Sequence, residues 1–282
     1  DRMAVVGPLS FSAPLFHACQ ALELGATLYL IPAFRPRSLA RLVAEERITA
    51  AFMVPTHYRA LLATAGDTLA AAYHLRTLLS CGEKLPPPVR AELMERLPHA
   101  TVYEYYGSSE IGFTTVLPPA APATSVGRPF LGVEIAIRGP DGRPLPAGAP
   151  GILYGRSAMT ASGYLGEDGE LVPLADGDGW VTAGDVAYRG ADGLIYLIGR
   201  SDDAINSGGV KIYPAEIERV LAEHPAVDQA VVLGWPDRRR GEAVIAAVVA
   251  RAGTSVTAAE LRAFCAARLA PGRRPQRILL LP

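Results

Sequence analysis

The sequence predicts an α/β protein: parallel strand–helix layers, then a small antiparallel barrel, then a small α+β module. Three observations predict it. From Met3 to Tyr105, short apolar strand-type runs alternate with helix-type segments, the pattern of βαβ units in a parallel sheet. From Val133 to Tyr188 the pattern changes to short strands separated by tight turns, as in small antiparallel barrels. After Asp202, two helix-type and three strand-type segments follow in close order.

Taken in order, Met3–Val6 is a strand, Gly7–Ser12 a loop, Pro14–Leu24 a helix and Thr27–Ile31 a second strand. Arg37–Glu46 reads as a helix, Ala50–Val54 as a strand and Tyr58–Ala65 as a helix. Thr77–Leu79 is the next strand, Pro87–Leu97 a helix opening on prolines, and Val102–Tyr105 a further strand. Ligands of such sheets sit at the carboxyl ends of the strands. Pro8–Phe11, Pro55–His57, Ser80–Lys84 and Tyr105–Gly112 are therefore expected to converge on one crevice. Residues 118–128 form a Pro/Ala-rich linker. Beyond it come Val133–Arg138, the turn Gly139–Gly142, Gly151–Gly155, Trp180–Val181 and Val186–Tyr188. The final module reads as a helix at Pro214–Glu223, strands at Val227–Leu233 and Ala243–Ala250, a helix at Thr257–Leu269 and a strand at Ile278–Leu281. Thr257 with Glu260 is a capping box.

The 282 residues allow one large domain or two unequal ones. Half of them are hydrophobic and the net charge is −1, which gives no pull toward nucleic acid or an anionic membrane. No apolar run reaches the roughly 18 residues of a membrane span, and no signal peptide opens the sequence. Cys19, Cys81 and Cys265 are odd in number and lack metal spacing, so reduced, part-buried thiols and a cytoplasmic setting are expected. Lys84 and Lys211 are the two lysines. Both ends look cut: the sequence enters directly into a strand-like run and stops on one.

The stretch Gly199 to Glu218 organises the rest. The apolar run Leu194–Ile198 leads to the polar cluster Arg200, Asp202 and Asp203. Ser207-Gly208-Gly209 then offers backbone N–H groups with no bulk around them. Pro214 opens a helix with Glu216 and Glu218 in its first turn, where the helix dipole favours acids. Such a sequence suits a hinge beside an active site.

This stretch resembles the signature at the junction of the large and small domains in the adenylate-forming superfamily, which includes acyl-CoA synthetases and peptide-synthetase adenylation domains. Tyr103-Glu104-Tyr105-Tyr106-Gly107-Ser108-Ser109-Glu110 resembles that family's Tyr-Gly-x-Thr-Glu segment, with Ser109 keeping the hydroxyl. Ser80 to Pro86 resembles its adenine-side loop, Trp180 to Asp185 its Thr-Gly-Asp motif, and Pro8-Leu9-Ser10-Phe11 its acyl-pocket stretch. The resemblance implies a partial large domain of acyl-CoA synthetase type over 1–199, with αβ layers over 1–117 and a β-barrel subdomain over 118–199. A small domain follows over 200–282, hinged at Asp202.

It also implies roles. Gly82, Glu83, Lys84, Glu104, Tyr105, Tyr106, Gly107, Ser108 and Ser109 would surround ATP or AMP, an aromatic face stacking on adenine. Ser109 would donate to the α-phosphate. Glu110 would supply a hard oxygen to Mg²⁺. Asp185 would accept from two ribose hydroxyls, with Arg200 adding a donor. Ser207, Gly208, Gly209 and Lys211 would shape a CoA channel. Phe11, Val54, Thr56, His57, Ile111 and Gly112 would line an acyl pocket, with His17 an alternative to Phe11; the distance to Gly25 favours Phe11, and His17 reads rather as a locally packing or capping helix residue. Arg238 to Arg240 read as a solvated basic turn, or as a contact for CoA phosphates or a carrier protein.

The implied activity is ATP-dependent activation of a carboxylic acid through acyl-AMP, with transfer to CoA. The pocket holds no obvious charged partner, which favours an apolar fatty or aryl acid, as in fatty acid metabolism. The alternatives are an adenylation enzyme that loads a carrier protein, and a non-catalytic remnant that binds nucleotide or a partner. The family's phosphate loop is expected before Asp1 and its catalytic lysine after Pro282, so the 282-residue segment alone is expected to adenylate poorly.

Overall fold

The computed structural model describes residues 1–281, and Pro282 lies outside the described residues. Contacts divide the chain into two units, residues 1–149, 153–183 and 189–196 in the first and residues 150–152, 184–188 and 197–282 in the second.

In the first unit, strand β1 (Arg2–Val6) is followed by α1 (Ser12–Glu23), β2 (Thr27–Ile31), α2 (Pro36–Glu45), β3 (Ala50–Met53), α3 (Pro55–Ala70), β4 (Thr77–Ser80), α4 (Pro87–Arg96) and β5 (Thr101–Ser108). β1 pairs in parallel with β2 and β3, and the parallel ladder continues from β3 through β4 to β5. Proline at the first helical turn starts α2, α3 and α4, where its missing N–H costs nothing and its fixed φ is already helical. The central strands β1, β3 and β4 are buried on both faces, as βαβ layering requires. Met3, Val5, Phe52 and Leu79 pack in one core cluster, whereas Ala4, Val6, Ala51, Met53 and Leu78 pack in another.

Two departures from the sequence reading matter. The helix expected over Tyr58–Ala65 runs from Pro55 to Ala70, with non-helical angles at Ala65 (φ −150°, ψ 23°). The periodic pattern is interrupted there although the chain is not. The strand expected to end at Tyr105 continues to Ser108 and folds back into β6 (Gly112–Leu117), which pairs antiparallel with it. β7 (Arg128–Pro129) completes a seven-stranded sheet of order β2-β1-β3-β4-β5-β6-β7. The register of β5 and β6 shifts between Tyr106 and Gly107. At this irregularity a Cβ on Gly107 would meet the Gly112 carbonyl oxygen and approach Phe113 Cα at 3.0 Å.

Short strands follow: β8 (Glu134–Arg138), β9 (Gly151–Arg156), β10 (Gly163–Leu165), β11 (Leu171–Pro173), β12 (Asp185–Arg189) and β13 (Ile195–Arg200). β10 and β11 form a separate antiparallel pair with Tyr164 opposite Val172. The strand expected at Trp180–Val181 is reduced to a single bridge between Gly155 and Val181.

The second unit carries β14 (Ile205–Ser207), β15 (Val210–Ile212), α5 (Pro214–Ala222), β16 (Val227–Asp237), β17 (Gly241–Ala250), α6 (Ala258–Ala266) and β18 (Arg277–Leu281). β16 and β17 form a long antiparallel hairpin, and β18 adds to β17 in parallel. Ile217, Val220 and Leu221 of α5 and Leu261 and Cys265 of α6 pack against Val232, Val244, Ala246, Val248 and Ile278. Both expected helix starts are present. Pro214 lies in the first turn of α5 with Glu216, and Thr257 and Glu260 form the reciprocal capping box of α6.

Gly107→Ala is expected to destabilise the protein by roughly 1–3 kcal/mol, the usual cost of forcing atoms into a filled space. The midpoint of chemical unfolding measures it, and Gly177→Ala, where among the described residues nothing lies within 4 Å of a Cβ and φ is likewise not in the left-handed region, serves as the control for loss of glycine alone.

Candidate nucleotide and acyl site

At the carboxyl ends of the parallel strands, contacts join the expected loops in two pairs. The Oγ atoms of Ser12, the first residue of α1, and Ser109, in the turn after β5, are 3.5 Å apart. A Cβ on Gly82 would lie 3.6 Å from a methyl of Val54, so the loops after β3 and β4 also meet. Gly82 itself has φ +96°, a left-handed conformation that favours glycine.

The chain reversal between β5 and β6 is tied down by its own side chains. Ser108 Oγ accepts from the backbone N–H groups of Glu110 (3.2 Å) and Ile111 (3.3 Å). Ser108 therefore holds the turn, a use that the expected nucleotide contact did not include. Ile111 is fully buried and lies against the position of Gly155. It anchors the turn in the core rather than offering itself to an acyl chain. Ser109 is exposed and Glu110 is half-buried. The Tyr164 hydroxyl donates to Glu110 Oε1 at 2.6 Å, and the Ala161 N–H donates to the Glu110 carbonyl at 2.8 Å.

The two tyrosines divide between the faces of β5. Tyr105 lies edge-on to Phe113 and Phe130, and burial raises its hydroxyl above the ordinary value. Tyr106 is half-buried and pairs with Thr115.

Glu104, expected to accept from adenine, is engaged elsewhere. It is buried, and Arg90 Nη1 donates to one oxygen at 2.8 Å. The other oxygen accepts from Lys84 Nζ at 3.0 Å and from the Leu85 N–H at 3.2 Å. Lys84 also donates to the Ser125 carbonyl at 2.7 Å. Burial lowers the Lys84 ammonium, and the Glu104 carboxylate opposes that shift. Lys84 and Glu104 thus act as a structural tie from the loop after β4 to β5. Arg90 went unnoticed in the sequence, although an arginine three residues before Leu93 on a helix facing the core is a readable signal for a buried partner.

The expected acyl-pocket residues do not form one group. Phe11 is 64% exposed. His17 is fully buried among the rings of Phe16, Phe52, Tyr105 and Phe113. Its Nδ1 lies 3.1 Å from Gln20 Oε1, and among the described residues its Nε2 has no hydrogen-bond partner. Burial depresses it from 6.5 to about 4. His57 stacks on Phe34 with centroids 4.1 Å apart, and Phe34 packs against the core cluster containing Ala51 and Met53. Burial lowers His57 as well. The two histidines therefore belong to opposite faces of the sheet. Val54 is half-buried and Thr56 exposed. A Cβ on Gly112 (φ +67°) would lie 2.7 Å from Met159 Cβ, so this glycine serves packing.

In the second unit, Asp185 and Arg200 come together at 3.9 Å, with the arginine side chain half exposed. The Ser201 N–H donates to the Gly184 carbonyl at 2.8 Å, bringing the start of β12 beside the end of β13. Asp202 is exposed and accepts from the Ser201 hydroxyl at 3.1 Å. Of Ser207, Gly208 and Gly209, read as a bulk-free loop, Ser207 ends β14 opposite Val210 and the two glycines form the turn of the β14–β15 hairpin, with φ of +61° and +82°. Ser207 is buried, whereas Lys211 is exposed. Of the cysteines, Cys81 and Cys265 are buried and Cys19 is exposed, which corrects the expectation of part-burial for all three. Burial pushes the Cys81 thiol up to about 11.

The chain is an α/β protein whose Ser109–Glu110 turn lies beyond the end of β5, the edge at which sheets of this class generally take their ligands. The chain belongs to the AMP-binding enzyme family: the AMP-binding enzyme model matches residues 1–165, and the AMP-binding enzyme C-terminal domain model matches residues 216–282. It is 34% identical over 283 residues to a feruloyl-CoA synthase of Amycolatopsis sp, covering 99% of this chain and 57% of that protein. It is 35% identical over 271 residues to the fatty acid–[acyl-carrier-protein] ligase ScoC of Streptomyces coeruleorubidus, covering 93% and 52%. The structure of o-succinylbenzoate coenzyme A synthetase (MenE) from Bacillus subtilis, in complex with ATP and magnesium ion, superposes with a TM-score of 0.85 at 28% identity, covering 100% of this chain and 58% of that one. The chain thus spans about half the length of the curated relatives it matches. Among the described residues, no helix is long and apolar enough to cross a membrane.

Two outcomes are expected. Arg90→Ala leaves a buried carboxylate short of its main partner and should cost about 3–5 kcal/mol. The double variant Arg90→Leu/Glu104→Leu should recover much of that loss in chemical unfolding. His17, neutral when folded, binds a proton more readily when unfolded. Stability should therefore fall as pH drops from 6.5 toward about 4, by up to about 3 kcal/mol. His17→Phe should flatten the pH dependence of the melting temperature in that window.

Proposed function

We propose that this chain is part of an enzyme that activates a carboxylic acid with ATP as an acyl-adenylate and transfers the acyl group to the thiol of CoA. The observation that carries this reading is the turn after β5, where Ser109 and Glu110 stand at the carboxyl edge of the sheet beside Ser12. In the first half-reaction the acid's carboxylate attacks the α-phosphorus, forming the mixed anhydride as the bond to pyrophosphate breaks. No side-chain nucleophile is required; the protein's part is alignment and charge stabilisation. Ser109 is the α-phosphate donor in this reading, and a tyrosine of β5 stacks on the purine. Asp185, assisted by Arg200, holds the ribose hydroxyls.

Magnesium fits the donors present. Among the described residues there is no cluster of three or more metal-ligating side chains. A single carboxylate, Glu110, is what an ion that arrives with nucleotide phosphates and keeps several waters requires. When bound, the ion neutralises phosphate charge. In the second half-reaction the CoA sulfur attacks the acyl carbonyl and AMP leaves. Asp202, in the exposed turn after β13, is the proposed hinge for that step, with the domain boundary at 199/200. The β14–β15 turn with Lys211 is the proposed channel for the thiol arm. The exposed ring of Phe11 favours an apolar fatty or aryl acid, and a cytoplasmic setting suits these substrates. Transfer to a carrier protein is the second reading, favoured by the similarity to ScoC.

Acid-dependent ATP–pyrophosphate exchange tests the first step, on this 282-residue chain and on a version extended at both ends. The extended protein should exchange and the shorter one poorly, and equal robust rates would overturn the reading that essential groups lie outside. Asp185→Ala in the active form should raise the KM for ATP about tenfold, as loss of a charged hydrogen-bond partner does, with a smaller change in the KM for the acid. Supplying CoA or a phosphopantetheinyl carrier as acceptor separates the two acyl-transfer readings.

A further inference from the structure

One contact at the edge of the sheet has no role in the reading above. Tyr164, on the short β10–β11 hairpin, donates its hydroxyl to Glu110 Oε1 at 2.6 Å. An O–H···O⁻ bond of that length is in the charge-assisted class. The side chain is 54% exposed, so the tyrosine is not there to fill the core. A bond between exposed side chains is ordinarily a weak constraint. Here the acceptor is already fixed, because the turn that carries Glu110 is held from three sides. Ser108 Oγ takes the N–H groups of Glu110 and Ile111. Ile111 is fully buried. The Ala161 N–H, three residues before the tyrosine, takes the Glu110 carbonyl at 2.8 Å. Met159 closes against Gly112 so tightly that a Cβ there would lie 2.8 Å from the Met159 carbonyl oxygen. The segment Ser157–Tyr164 therefore grips the turn by its main chain, and its last side chain grips the carboxylate.

We propose that Tyr164 is a positioning residue that sets the Glu110 carboxylate for a divalent cation carried with nucleotide phosphates. The proposal rests on the reading of Glu110 as the metal ligand. Magnesium demands near-octahedral geometry and tolerates little error in ligand direction. A hydrogen bond to the carboxylate oxygen fixes the plane of the group, and such supporting partners are typically worth 10–100-fold in metal affinity. The sequence between β9 and β11 thereby acquires a function: it brings a phenol from 54 residues away onto the acid.

The test is calorimetric titration of the purified protein with α,β-methylene-ATP, with Mg²⁺ and with EDTA, reading the metal-dependent gain in affinity. Tyr164→Phe should lower that gain about tenfold and leave affinity in EDTA within about twofold. Val172→Ala perturbs the cross-strand neighbour of Tyr164 without removing the hydroxyl and should leave the gain intact. Glu110→Gln should abolish the gain. If Glu110→Gln abolishes it and Tyr164→Phe does not lower it, the positioning role alone is overturned. A loss in Val172→Ala equal to that in Tyr164→Phe overturns it too, since hairpin packing rather than the phenol would then be responsible. If wild type shows no metal-dependent gain, or Glu110→Gln keeps it, the metal-ligand reading fails and takes the proposal with it.

Discussion

The constraint on which the candidate site depends is the reversal of the chain after β5. Four parallel pairings bring β5 to the carboxyl edge, and the chain must then fold back within a few residues to form β6. That is possible because Gly107 has no Cβ to collide with the Gly112 carbonyl. Gly112 in turn takes a positive φ under Met159. The irregular register at Tyr106 and Gly107 leaves Ser109 and Glu110 outside the ladder, beyond the strand ends. A regular strand there would have paired those residues and hidden the site.

A second constraint fixes the edge from below. Glu104 is a buried carboxylate and is retained because Arg90, Lys84 and the Leu85 N–H satisfy both of its oxygens. Such a cluster adds little net stability over an apolar replacement, but leaving it half-made is expensive. Its consequence is geometric. It fastens the loop after β4 to β5, one strand away from the turn that bears Glu110. The same loop carries Gly82 beside Val54. Rigid support below and a short reversal above together present a small set of polar groups at fixed positions, which is what catalysis by alignment requires.

Local sequence settled much of this. The alternation of strands and helices from β1 to β5 was legible because parallel strands are apolar on both faces and prolines mark helix starts. The capping box at Thr257 and Glu260 and the proline start of α5 were legible for the same local reason: the interactions span three or four residues. The motif Tyr106-Gly107-Ser108-Ser109-Glu110 was legible as a polar segment at a strand end, and Asp185 with Arg200 as a pair, because opposite charges and small polar residues are readable by type.

What tertiary structure decided concerns partners distant in sequence. Composition could not say that Glu104 belongs to Arg90 and Lys84 rather than to a purine, since a carboxylate suits either. Nor could it say that His17 and His57 face opposite sides of the sheet, which depends on which strand face each helix covers. Gly107 was read as one of the residues around the nucleotide, yet the nearest obstacle to a Cβ there is the backbone of its own hairpin. Tyr164 carried no expected role in the sequence; only folding sets its hydroxyl on Glu110. The chain alone determined which groups are present and which helices and strands carry them. The packing of distant segments decided which of those groups are spent on the fold and which stand at the edge of the sheet, because hydrogen bonds and excluded volume act across space and not along the sequence.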